Sequence, residues 1–126
     1  MKPFTYERAT SVEAAARAAA SVQGARFIAG GTNLLDLMKL QIETPTHLVD
    51  VNRLGLDRIE KTEEGGLRIG ALVRHAAIET SALIARRVPL LRDAARHIAH
   101  PAIRNRGTIG GSLAHADPAA DYPAAV

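Results

Sequence analysis

Two glycine clusters constrain this chain more than any other feature of its 126 residues. The first is Ala29-Gly30-Gly31-Thr32-Asn33. The second is Arg104-Asn105-Arg106-Gly107-Thr108-Ile109-Gly110-Gly111-Ser112. Adjacent glycines admit positive φ and close backbone approach. The first cluster follows the apolar run Ala25–Ala29 and precedes Leu34, Leu35, Leu37 and Met38, so it reads as strand, turn, short helix. Consecutive amides in such a turn cradle an anionic group, and Thr32 and Asn33 add hydroxyl and amide donors. An ordinary strand-to-helix turn has the same composition. The pattern matches neither G-x-G-x-x-G nor the P-loop. The second cluster reads as a loop with three glycines in five residues and a hydroxyl on each side, again suited to a polyanion.

The rest of the chain reads in two parts. Residues 3–9 alternate as a strand. Thr10-Ser11-Val12-Glu13 reads as a capping box with Thr10 as the cap, opening an Ala-rich helix that stops at Gly24. Ala25–Ala29 is expected as a buried strand and Thr46–Val51 as another. Asp57–Thr62 and Leu67–Leu72 flank a Gly-containing hairpin turn. His75–Arg87 and Val88–Ala99 are expected as two amphipathic helices, the second ended by Pro101. No clear period continues beyond Arg104. The expected division is a small βαβ lobe over 1–54 and an α+β lobe over 55–126.

Leu, Ile, Val and Phe total 31 residues and Ala 24, enough for a core of aliphatics. Four aromatics leave few platforms for stacked bases, and no nucleic-acid-binding motif accompanies the net charge of +3. No apolar stretch reaches the ~18 residues of a membrane span. The first residues hold no apolar signal core. The absence of cysteine excludes disulfides and iron–sulfur ligation by these residues. Seven arginines between Arg74 and Arg106 face two acids, Glu79 and Asp93, which reads either as an anion or partner surface or as a solvated helix face. His47 in an apolar strand reads as a structural histidine. His97 and His100 read as a helix terminus. His115, Asp117 and Asp121 fit no standard metal set. A single carboxylate binding ribose hydroxyls is a better use of this acidic stretch beside a phosphate loop.

The two clusters in this order carry a family resemblance. Phe27-Ile28-Ala29-Gly30-Gly31-Thr32-Asn33-Leu34-Leu35-Asp36-Leu37-Met38-Lys39, followed by the stretch from Ile103 to Asp121, resembles the FAD-binding subunit of molybdenum hydroxylases. That family includes xanthine dehydrogenase, carbon monoxide dehydrogenase and bacterial aldehyde oxidoreductases. The resemblance implies the α+β, two-lobed FAD-binding fold shared with vanillyl-alcohol oxidase (PCMH type), with FAD extended between the lobes. It implies that Phe27, Ile28, Ala29, Gly30, Gly31, Thr32, Asn33 and Leu34 wrap the pyrophosphate and ADP end. Thr108, Gly110, Gly111 and Ser112 would line the second side of the cofactor, Asp121 would bind a ribitol or ribose hydroxyl, and Ile98 would sit near the adenine. Molybdopterin and two [2Fe–2S] clusters would reside on a large and a small partner subunit, in a dimer of heterotrimers. Electrons would pass through FAD to an acceptor, with no acid–base residue on this chain. A cytoplasmic location is expected, or a periplasmic one by export with a partner.

Three departures from the family pattern stand out. Position 112 is Ser where Asn is common, and position 120 is Ala where a small hydroxyl residue is common. The sequence ends at Val126, so an incomplete second lobe is expected, with a fragment serving as an interaction module without FAD as the alternative.

Overall fold

Residues 1–55 build a three-stranded parallel sheet from β1 (Thr5–Arg8), β2 (Ala25–Ile28) and β3 (His47–Asp50), with helices α1 (Val12–Ser21) and α2 (Leu34–Lys39) as crossovers. The computed structural model describes residues 1–126 and divides into this unit and a second, residues 56–126.

Strand order is β1-β3-β2, with Thr5 and Ala25 both in register with His47. The sequence reading expected Ala25–Ala29 to be buried. Instead β2 is an edge strand and Phe27 is 52% exposed. β3 takes the centre, and all four of its residues are buried. Apolar composition does not distinguish a central strand from an edge strand; the order of pairing does.

The start of α1 is also corrected. Ser11, not Thr10, is the cap, and its Oγ accepts from the Ala14 amide at 3.0 Å. The reciprocal position of a capping box is then Ala14, so Glu13 only complements the first-turn dipole. Ala9, Ala15 and Val49 form a small core, joined by Ala18, Val51 and Leu54. His47 has the structural role expected. Its Nδ1 lies 2.6 Å from Thr5 Oγ1 and its Nε2 lies 2.9 Å from Glu7 Oε1.

Residues 56–126 begin with an antiparallel hairpin, β4 (Ile59–Lys61) and β5 (Leu67–Ile69). Helices α3 (His75–Thr80), α4 (Ala82–Arg87), α5 (Pro89–Arg96), α6 (Pro101–Arg104), α7 (Ile109–His115) and α8 (Asp121–Ala125) follow. The two expected long helices are therefore three short ones. Ser81 ends α3 and caps α4, accepting from the Ile84 amide at 3.3 Å. Val88 leaves helical geometry before Pro89 opens α5. Pro101 does not stop a helix but starts α6, where its missing N–H costs nothing. The second glycine cluster, expected as a loop, runs into α7, and α8 lies in the stretch beyond it that shows no clear period.

The core of this unit is Val73, Ile78, Ile84, Leu91, Ala95, Ile109 and Tyr122, with the hairpin packing Ile59, Leu67 and Ile69 against it. Inside it, His75 Nδ1 lies 3.0 Å from the Tyr122 hydroxyl, and the two rings meet edge to face. The arginine-rich segment is neither free nor uniformly solvated. Arg104 binds Glu79 at 3.0 Å and the Ile98 carbonyl at 2.9 Å, Arg87 binds the Gly65 carbonyl at 2.9 Å, and Arg74 binds the Arg106 carbonyl.

Two buried groups make stability depend on pH. Burial, reinforced by Arg104 and Arg74, lowers His75 from 6.5 to about 4. Burial opposes ionisation of Asp50, but hydrogen bonds from Tyr6, Asn52 and Arg8 outweigh it and bring the carboxyl from 3.8 to about 2. In both windows the unfolded chain binds a proton that the native chain refuses, so stability rises with pH. Chemical denaturation at a series of pH values is expected to show stability falling from pH 6.5 to 4, and again from 4 to 2. His75→Gln should remove the first component and Asp50→Asn the second. A slope unchanged by either substitution would refute its assignment.

Candidate functional site: a glycine turn at the sheet edge

β2 ends at Ile28, and the chain turns through Ala29–Asn33 before α2. This turn lies at the C-terminal ends of the parallel strands, where open α/β sheets bind their ligands. Gly31 has φ +75°, a conformation that side chains resist. A Cβ there would also meet Leu35 Cδ1 at 3.0 Å and Cγ at 3.2 Å. The Gly31 carbonyl accepts from the Leu35 amide at 3.0 Å, which closes the turn onto α2. The amides of Gly30, Gly31, Thr32 and Asn33 donate to no backbone acceptor. Asn33 occupies the N-cap position of α2, yet its side chain makes no cap hydrogen bond. α2 spans six residues, so the capacity for an anion rests on the loop amides and side chains rather than on a long helix dipole.

A polar network fastens this turn to the sheet. Asp50 ends β3 and is 5% exposed. One oxygen, Oδ2, accepts from the Tyr6 hydroxyl and from Arg8 Nε at 3.2 Å, both on β1. The other, Oδ1, accepts from the Asn52 amide at 2.8 Å and from Asn52 Nδ2 at 2.7 Å. Asn52 Nδ2 also donates to the Ala29 carbonyl at 2.8 Å. The sequence singles out none of Tyr6, Arg8, Asp50 and Asn52 as a site residue. The signal available was a run of apolar strand positions that ends in Asp and then Asn, two polar groups at the edge where ligands bind.

The second glycine cluster is built differently. Segment 71–75 pairs with 107–110: the His75 amide donates to Gly107 at 3.1 Å, Ile109 to Val73 at 3.0 Å, and Gly110 to Ala71 at 2.8 Å. Thr108 is buried and caps α7, accepting from the Gly111 amide at 3.0 Å, while the Ser112 amide donates to the Thr108 carbonyl at 3.0 Å. The amides of 109 to 112 are thus all engaged within the chain. Gly110 is required by packing, since a Cβ there would lie 2.6 Å from the Ala71 carbonyl. Ser112 is half-buried and Gly111 is exposed. Ile98 is half-buried against the core of its unit. Asp121 is exposed at the first residue of α8.

Residues 2–126 match the family described as the FAD binding domain in molybdopterin dehydrogenase. The chain belongs to this family. It is 56% identical over 113 residues to the aldehyde oxidoreductase FAD-binding subunit PaoB of Escherichia coli, covering 90% of this chain and 36% of that one. It is 51% identical over 127 residues to the 6-hydroxypseudooxynicotine dehydrogenase complex subunit alpha of Paenarthrobacter nicotinovorans, covering 98% and 43%. Among solved structures, carbon monoxide dehydrogenase from Hydrogenophaga pseudoflava aligns with a TM-score of 0.93 and 40% identity, over 98% of this chain and 43% of that one. The chain spans less than half the length of these relatives. The mixed helix-and-sheet fold expected for FAD-binding subunits is the fold observed, and FAD is the cofactor of this family of domains. The Gly30–Asn33 turn fits a dinucleotide diphosphate: it offers a run of amides without backbone acceptors and a glycine whose φ strains any side chain. No helix is long and apolar enough to cross a membrane.

Substitution tests the conformational role of Gly31 and the packing role of Gly110. Without added flavin, Gly31→Ala is expected to cost about 1–2 kcal/mol through its left-handed backbone. Gly110→Ala should cost about 1–3 kcal/mol by overpacking against Ala71. Thermal denaturation measures both; an unchanged midpoint for Gly110→Ala would contradict the packing role.

Proposed function

We propose that this chain is the FAD-binding region of the electron-transfer subunit of a molybdenum-containing hydroxylase or dehydrogenase. The Gly30–Asn33 turn carries the reading, with its unengaged amides at the C-terminal edge of a parallel sheet. When bound, FAD would supply the redox chemistry, relaying electrons between iron–sulfur clusters of a partner subunit and an acceptor. The chain's own residues bind and orient the cofactor.

Gly30, Gly31, Thr32 and Asn33 hold the pyrophosphate through their amides, with Phe27, Ile28, Ala29 and Leu34 flanking it. In the second cluster, Thr108 and Gly110 shape α7, because the Thr108 hydroxyl caps that helix and the Gly110 amide is bound to Ala71. Gly111 and the Ser112 hydroxyl are the groups of that turn that meet the cofactor. Asp121 accepts from a ribose or ribitol hydroxyl, which its exposed position and negative charge suit. Ile98 lies toward the adenine end. The partners are an iron–sulfur small subunit and a molybdopterin large subunit, assembled as a dimer of heterotrimers in the cytoplasm. The relatives' names, a FAD-binding subunit and a subunit of a dehydrogenase complex, support assembly with other subunits.

Titration of the purified chain with FAD, removal of free flavin and a visible absorption spectrum test this reading. A retained flavin band is expected, with affinity reduced about tenfold in Asp121→Ala, the scale of one lost charge-assisted hydrogen bond. A folded but colourless chain would count against FAD binding by these residues alone and leave an interaction module as their role.

A further inference from the structure

The hydrogen bonds at the end of the sheet join all three strands in one line. Tyr6 and Arg8 on β1 bind Asp50 Oδ2, Asp50 Oδ1 binds Asn52, and Asn52 binds the carbonyl of Ala29 beyond β2. Ladder pairing beyond β2 stops at the Val51 amide, which donates to Ile28 at 3.1 Å. Past that point the Asn52 side chain ties the turn to the sheet. Its Nδ2 faces two acceptors, the Asp50 carboxylate at 2.7 Å and the Ala29 carbonyl at 2.8 Å. That geometry demands a side chain with two N–H donors on one atom. Asp50 orients the amide group by also accepting from the Asn52 backbone at 2.8 Å. The carbonyl held by Asn52 belongs to the peptide unit whose nitrogen is the Gly30 amide. Fixing Ala29 O therefore fixes the plane and direction of the first amide in the turn, and the glycines that follow cannot hold it themselves.

We propose that Asn52 is a positioning residue for the dinucleotide: through the Ala29 carbonyl it pre-orders the Gly30–Asn33 amides to receive a diphosphate. The inference rests on the FAD reading of this turn but makes a claim about the unliganded loop as well. Pre-ordering raises affinity by removing the entropy of fixing the loop at the moment of binding. Asn52→Leu keeps the branched skeleton, with two methyl groups in place of the amide oxygen and nitrogen, and removes both donors. Asn52→Asp removes them and sets a carboxylate against two acceptors.

The test compares wild type, Asn52→Leu and Asn52→Asp as full chains, by titration with FAD and with ADP and by backbone amide relaxation without ligand. ADP carries the diphosphate without the flavin ring, so a positioning role predicts equal losses for both ligands. About a tenfold weakening is expected for Asn52→Leu and a larger one for Asn52→Asp. Order parameters at Gly30–Asn33 should fall from the rigid range near 0.85 toward 0.6 or below, while those of β3 stay high. Unchanged affinities, or a loop equally rigid in folded Asn52→Leu, would overturn the proposal. If wild type binds neither ligand, the FAD reading fails, and the relaxation data alone decide whether Asn52 orders the turn. If Asn52→Leu does not fold, Asn52→Ala, measured below its own midpoint, is read by the same criteria.

Discussion

The buried carboxylate of Asp50 is the constraint on which the first unit depends. A short parallel sheet has few ladder bonds, and its two edge strands reach the centre only through β3. Asp50 sits where that ladder ends and spends both oxygens, one on β1 and one on Asn52. Burying a carboxylate costs several kcal/mol unless hydrogen bonds replace its water. Here they do, and the depressed titration of Asp50 records that the native surroundings favour its charge. The same group that closes the sheet thereby aims the glycine turn.

The second unit solves a different problem. Six short helices and a hairpin enclose one core, and two glycines of the second cluster, Gly107 and Gly110, are absorbed into that packing against His75 and Ala71. Gly110 lets the start of α7 approach Ala71, and Thr108 caps the helix from a buried position. The neutral His75–Tyr122 pair fills the interior behind them. Two clusters of similar composition thus hold opposite stocks of amides: unspent in the Gly30–Asn33 turn, fully spent from 109 to 112. Any cofactor contact in the second falls to side chains and exposed glycine surface.

Much of this was readable in the amino-acid order. The glycine pair between an apolar run and Leu34-Leu35 marked the turn, because few other residues accept the φ of Gly31. The pair of motifs marked the family, and His47 was rightly read as structural. The helix boundaries were less readable. Ser11 and Thr10 are equally good caps by type, and Ser81 breaks one periodic run into two helices through a hydrogen bond that periodicity does not register.

Composition and local pattern determined which turns form, which segments are apolar and which family the chain belongs to, since those depend on φ preferences and spacing along the chain. The tertiary structure alone decided that β3 rather than β2 is central, that Gly110 is a packing residue, and that Asp50 and Asn52 hold the turn. Each of these depends on a partner distant in sequence, Asp50 on Tyr6 and Arg8, Gly110 on Ala71, Asn52 on Ala29. A hydrogen bond or a close approach across such separations exists only once the strands have been ordered.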